Sequence, residues 1–245
     1  MDRIAFISGA SGGIGMATVE AFASRGYSVI AHARKDKDGF SEALQALSSQ
    51  YDVEIEPVYF DMLDEEAMKT AVKELFSGKL YPEVLVNNAG IAHGGLFQMT
   101  SVSTIEEVFA INLFAHMRLT QLLLRGMKRL KRGSVINVAS ISGIDLAPGN
   151  SAYGVSKAAL IAWTKTLSKE LGAEGIRVNA VAPGLTDTAM SYLMEDKAGK
   201  EMGARSVMNR KAEPAEIADV IAFLASSEAR FVNGQVLCVD GGSSR

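Results

Sequence analysis

Two stretches of the chain have residue types and spacings that can do chemistry. The first is Ser8-Gly9-Ala10-Ser11-Gly12-Gly13-Ile14-Gly15. Its glycines let backbone approach a diphosphate closely, and a helix starting there adds free N–H groups and the positive end of its dipole. The spacing is Gly-x3-Gly-x-Gly, not the Gly-x-Gly-x-x-Gly fingerprint, and glycine loops also serve as plain turns or methyltransferase sites. The second is Tyr153-Gly154-Val155-Ser156-Lys157, which opens a helix with a phenol and an ammonium at i, i+4 on one face. A free tyrosine ionises near pH ~10, and a neighbouring ammonium stabilises tyrosinate and lowers that value toward neutrality. An exposed pair on an ordinary helix has the same spacing, so the pair needs companions. Ser140, at the end of a strand, and Asn112 supply them. Asn112 lies on the stripe Val108, Ala115, Leu119 and Leu122, where an unsatisfied amide is costly, so it requires partners. A helix kink is its structural alternative.

The elements that position these residues follow from the hydrophobic periods. Arg3–Ile7, Tyr27–His32, Val53–Phe60, Val84–Asn87, Ser134–Ala139, Ile176–Ala182 and Gln235–Val239 read as seven strands. Helical patterns between them include Gly13 to Arg25, Asp64 to Phe76, Ile105 to Leu130, Tyr153 to Leu171 and Pro214 to Ala225, with Pro214 suited to a first helical turn. Gly26 and Gly175 each stop a helix just before a strand. This alternation predicts a doubly wound α/β fold, a seven-stranded, mostly parallel sheet with helices on both faces. Ligands in such folds bind beyond the carboxyl ends of the strands, so residues just after each strand carry the function.

After the second strand no acid is present to hold a ribose hydroxyl pair. Arg34 and Lys35 stand there instead, and a guanidinium fork on a 2′-phosphate favours NADP(H) over NAD(H), although solvated surface cations look the same in sequence. Asp61 and the Met62 backbone, after the third strand, suit an adenine amino group, or Asp61 is a helix cap near Asp64. The fourth strand ends in Asn87-Asn88-Ala89-Gly90, small and polar residues at a strand end that would face a cofactor. His32, His93 and His116 have no metal-ligand spacing, and no metal site is expected. His93 is a surface residue or one at the substrate mouth.

The chain of 245 residues is 48% apolar and 22% charged, which fits one large α/β domain over 1–245. A net charge of -3 lacks the basic footprint of a nucleic-acid binder. A single cysteine, Cys238, excludes an intrachain disulfide and a zinc site built on several thiolates, and fits cytoplasmic residence. No apolar run approaches the ~18 residues of a membrane span, so no membrane partner is expected.

Taken with Asn112, Ser140, Pro183-Gly184 and the terminal Val239-Asp240-Gly241-Gly242, the glycine loop and the Tyr-x3-Lys motif make the chain from Arg3 to Gly242 resemble a short-chain dehydrogenase/reductase of the single-domain branch, in particular the 3-oxoacyl carrier-protein reductases. The resemblance implies a Rossmann-type fold and NADP(H)-dependent interconversion of a ketone and a secondary alcohol, with Tyr153 as general acid in reduction and base in oxidation. It implies that Lys157 bonds the nicotinamide ribose and tunes Tyr153, that Ser140 positions the substrate carbonyl, and that Asn112 completes a proton relay. It assigns cofactor contacts to Gly9, Ser11, Gly12, Gly13, Ile14, Gly15, Arg34, Asp61, Met62, Asn88, Ala89, Gly90, Tyr153, Lys157, Pro183, Gly184, Thr186 and Thr188. Thr186 and Thr188 cap the next helix in a plainer reading.

By the same resemblance a lid at about 186–208 places Met190, Tyr192, Leu193 and Met194 opposite Ile91, Leu96 and Ile144, an apolar mouth for a small-molecule carbonyl substrate such as a 3-oxoacyl thioester. The cluster Arg125, Lys128, Arg129, Lys131 and Arg132 suits an acidic carrier protein or is a solvated helix end. Glu174 stands where carrier-protein reductases commonly bear arginine, which leaves a free or coenzyme-linked substrate, or another ketone, open. A homotetramer is implied, and the all-round apolar run Ala158–Trp163 needs more cover than one sheet face provides. Two alternatives remain: a non-catalytic NADP(H)-sensing regulator, and a reductase of a sugar-like or other small ketone. The length after Pro183 disfavours an extended sugar-nucleotide epimerase.

Overall fold

The computed structural model describes residues 3–37, 39–192 and 206–243. Its strands are β1 (Ile4–Ile7), β2 (Ser28–Ala33), β3 (Ile55–Tyr59), β4 (Val84–Asn87), β5 (Gly133–Val138), β6 (Ile176–Pro183) and β7 (Val236–Val239). They form one sheet in the order β3-β2-β1-β4-β5-β6-β7, and every neighbouring pair is parallel. The order reverses between β1 and β4, which opens a crevice at their carboxyl ends. The central strands are covered on both faces, so β1 and β4 are buried at every position rather than alternating.

The helices are α1 (Gly13–Ala23), α2 (Phe40–Tyr51), α3 (Glu65–Ser77), α4 (Val102–Phe109), α5 (Ala115–Leu130), α6 (Tyr153–Leu171) and α7 (Pro214–Ala225). Successive strand residues point to opposite faces. Ile4 and Phe6 pack with Met68, Leu119, Leu123 and Leu167 from α3, α5 and α6, whereas Ala5 and Ile7 pack with Val19, Phe22, Leu44 and Ile221 from α1, α2 and α7. Small residues at Ala17, Ala21, Ala218 and Ala222 let α1 and α7 approach closely. Pro214 stands in the first turn of α7, where Glu213 and Glu216 form a capping box. Gly26 and Gly175 take φ of +71° and +78°, the left-handed conformation that ends each preceding segment.

The structure departs from the sequence expectations at two elements. The helix expected over Ile105–Leu130 is interrupted by a π turn at Ala110–Phe114. α2, absent from the expected helices, buries only Phe40 and Leu44, which leaves a thin apolar stripe. Among the described residues, no helix is long and apolar enough to cross a membrane.

Candidate active site

A cavity of about 630 Å³ runs along the carboxyl edge of the sheet across the switch point. Every residue assigned from sequence to the cofactor or the reacting centre borders it, with the exception of Asn112.

At its floor the glycine loop is built by close backbone approach. Gly9 takes φ +66°, and a Cβ there would lie 2.8 Å from the Ala89 Cα; one on Gly15 would fall on the Gly9 carbonyl oxygen. Ser8 Oγ accepts from the N–H groups of Asn88 and Ala89 at 2.9 and 3.1 Å. Asn88 Nδ2 donates to the carbonyls of Ser8 and Gly9, both at 3.0 Å. Asn88 therefore locks the loop to β4. The N-cap of α1 is Gly12, which has no side-chain cap, so the N–H groups of the first turn remain available to an anion. Such a loop fits a diphosphate.

One end of the cavity is cationic: Arg34, Lys35 and Lys37 are exposed on its border. Lys37 was not singled out in sequence because it lies two positions beyond Lys35, past Asp36. Asp61 borders the same end and accepts from the Leu63 N–H at 2.9 Å, while the cap of α3 is Asp64, which accepts from Ala67 at the same distance. The capping alternative thus belongs to Asp64. His32 is buried beneath this end and bonded to the loop, a role its isolated position in the sequence does not signal.

At the centre, Tyr153 opens α6 with Ser140 beside its hydroxyl, and the Ser140 Oγ accepts from the Ser142 N–H at 3.1 Å. Lys157 is buried; its Nζ lies 5.8 Å from the Tyr153 ring centroid and donates to the Val138 carbonyl at 2.8 Å. Burial pulls the ammonium down to about 8. Burial pushes the Tyr153 phenol up and Ser140 opposes that, whereas the expected lowering joined Lys157 with the charge of a bound nicotinamide. The arrangement sets a protonated phenol beside a hydroxyl, a combination that can bind a carbonyl oxygen and deliver a proton to it.

Asn112 sits in the π turn, fully buried behind the wall. Its Oδ1 accepts from the Ile91 N–H at 2.9 Å, and its Nδ2 donates to the Ile91 carbonyl at 3.0 Å and to Ser156 Oγ at 3.1 Å. The required partners are present, and the helix is interrupted there by the π turn. Asn87, one residue before the cavity-lining Asn88, lies in a buried network with Thr120 and Asn137. His116 meets the Ala89 carbonyl at 2.7 Å through Nε2.

Above the centre, Thr186 Oγ1 donates to the Gly184 carbonyl at 3.1 Å, and Thr188 Oγ1 accepts from the Ser191 N–H at 3.3 Å. The threonines border the cavity and brace the turn as well. Much of the expected lid, with Leu193 and Met194, lies outside the described residues. The expected apolar mouth needs correction. Ile91 and Met190 border the cavity, but Leu96, Ile144 and Tyr192 do not; the Tyr192 hydroxyl donates to Asp187 at 2.6 Å and its ring lies under Lys211. Ser142, Asp145 and Asn150 make that side of the cavity polar. The basic cluster is largely engaged within the chain: Lys128 pairs with Glu174 at 2.8 Å, Arg132 with Glu83 at 2.6 Å, and Arg129 lies over Tyr81.

Residues 9–244 match the family described as Enoyl-(Acyl carrier protein) reductase. The chain is 36% identical to the 3-oxoacyl-(acyl-carrier-protein) reductase FabG of Thermotoga maritima, an alignment covering 98% of this chain and 97% of that one. It is 33% identical to an acetoacetyl-CoA reductase of Acinetobacter, with 98% and 97% covered. A solved L-sorbose reductase of Gluconobacter frateurii, complexed with NADPH and L-sorbose, superposes with a TM-score of 0.91 at 29% identity over 100% of this chain and 97% of that one.

Proposed function

The chain belongs to the short-chain dehydrogenase/reductase family and is an oxidoreductase acting on alcohol and carbonyl groups, and from that premise we propose that it reduces a ketone to a secondary alcohol with NADPH, or runs the reverse reaction. The observation that carries this reading is that Ser140, Tyr153 and Lys157 border the same cavity as the glycine loop and the Arg34 cluster. When bound, the cofactor supplies the hydride. Ser140 holds the substrate carbonyl, Tyr153 delivers the proton to its oxygen, and Lys157 orients the cofactor ribose and Tyr153. Arg34, with Lys35, binds the 2′-phosphate, and Asp61 with Met62 borders the adenine. Asn112 acts by holding the Ile91 peptide and Ser156 in place behind the reacting centre. A non-catalytic sensor needs the glycine loop but has no use for the Ser140–Tyr153–Lys157 set.

For the substrate, a 3-oxoacyl thioester in free or coenzyme-linked form is supported by the names of the relatives and by Ile91, Ile141, Met190 and Met208 on the cavity border. The pairing of Lys128 and Arg132 within the chain removes support from carrier-protein docking. A second reading, a sugar-like ketone, is favoured by Ser142, Asp145 and Asn150 and by the L-sorbose reductase likeness. We take the chain as one domain holding both sites, assembled as a cytoplasmic homotetramer. NADPH consumption with acetoacetyl-CoA, a carrier-linked analogue and ketoses separates the readings. Turnover of acetoacetyl-CoA is expected; turnover of ketoses alone overturns the acyl assignment.

A further inference from the structure

We propose that His32 is a positioning residue that clamps the diphosphate loop to the end of β3 and thereby sets cofactor affinity; this rests on the cofactor reading above. The imidazole is 2% exposed, packed beside Phe6 and tilted against Phe60 with ring centroids 4.0 Å apart. Its Nδ1 accepts from the Gly9 N–H at 3.3 Å, which makes Nε2 the protonated nitrogen, and Nε2–H donates to the Phe60 carbonyl at 2.9 Å. The His32 carbonyl accepts from Ala10 at 2.7 Å. One residue of β2 thus bonds the loop that follows β1 and the residue just before Asp61 and Met62. Burial holds the ring neutral, at about 4, with the Phe60 carbonyl and Asp61 opposing. The neutral state matters, because a proton on Nδ1 would face the Gly9 N–H donor to donor.

The geometry also divides the donors of the loop. Gly9, held at φ +66°, spends its N–H on His32, so an anion is left with the first turn of α1. A ring without nitrogens fills the same space but orphans the Gly9 N–H and the Phe60 carbonyl. A glutamine, which has an acceptor and a donor, restores both in part.

The test joins nitrogen-15 NMR of the imidazole in the intact protein with NADPH titration of His32→Phe and His32→Gln. At pH 7 the His32 ring is expected as the neutral Nε2–H tautomer. His32→Phe is expected to weaken NADPH binding about tenfold, with the change falling on KM for NADPH far more than on kcat, and His32→Gln to recover most of the affinity. An Nδ1–H or cationic ring overturns the proposal, as does wild-type affinity in folded His32→Phe. If that variant does not fold, the tautomer and the glutamine variant decide. Failure of the wild type to bind NADPH would instead sink the cofactor reading, and the tautomer would still judge the clamp.

Discussion

In the proposed reaction Tyr153 acts as the proton donor, because burial favours its protonated phenol while Ser140 stands beside it. Removing the hydroxyl deletes the acid without touching the glycine loop. Tyr153→Phe should therefore lower turnover by about 10²–10⁴-fold with NADPH affinity retained, measured by steady-state kinetics beside fluorescence titration; turnover within a few-fold of wild type would exclude the role. Arg34 is exposed at the cationic end and carries the cofactor preference in this account. Arg34→Asp should cost roughly 10–100-fold in NADPH affinity and turn the preference toward NADH, since a carboxylate repels the 2′-phosphate and accepts from ribose hydroxyls. An unchanged cofactor ratio would place the specificity elsewhere. The places of Tyr153, Lys157 and Arg34 on the cavity were legible in sequence because their signals are local, a spacing of four or a position after a strand. His32 was not, because its partners Gly9 and Phe60 stand 23 and 28 positions away and meet it only when three strands pair.

The seven strands were legible as elements, since buried parallel strands are short apolar runs whatever their neighbours. The π turn was not: Asn112 continues the helical stripe, and the extra residue in the turn shows only through the bonds its amide makes to Ile91. Beside it, α5 buries His116 completely, and β2 buries His32. Burial pulls the first down to about 3, with Lys157 adding to the effect, and the second to about 4. An unfolded chain takes up protons on both near pH ~6.5, before the native state does. The unfolded state therefore binds more protons between pH 6.5 and 4, and stability is full above that window and falls as pH drops through it. Each histidine contributes a slope of about 1.4 kcal/mol per pH unit. Urea unfolding across this range should show a shallower acid loss in His116→Gln than in wild type; parallel curves would contradict the assignment.

At the scale of the molecule, the reversal of strand order between β1 and β4 is what gathers residues from the two halves of the chain into one cavity, with the phosphate loop from the first half and Ser140, Tyr153 and Lys157 from the second. The polar side of that cavity was not legible in sequence, because Ser142, Asp145 and Asn150 lie in an irregular connection with no period to orient them. The same architecture also serves proteins that bind a nucleotide without reacting it, and transfer of a hydride to product distinguishes an enzyme from these. The most direct measurement supplies NADPH carrying deuterium on the transferable position of the nicotinamide, together with acetoacetyl-CoA and ketoses in parallel, and follows the label by mass spectrometry. The account predicts a secondary alcohol with deuterium on its carbinol carbon from wild type, strongest with the thioester, and almost none from Tyr153→Phe. Tight NADPH binding with no label in any alcohol product would contradict it.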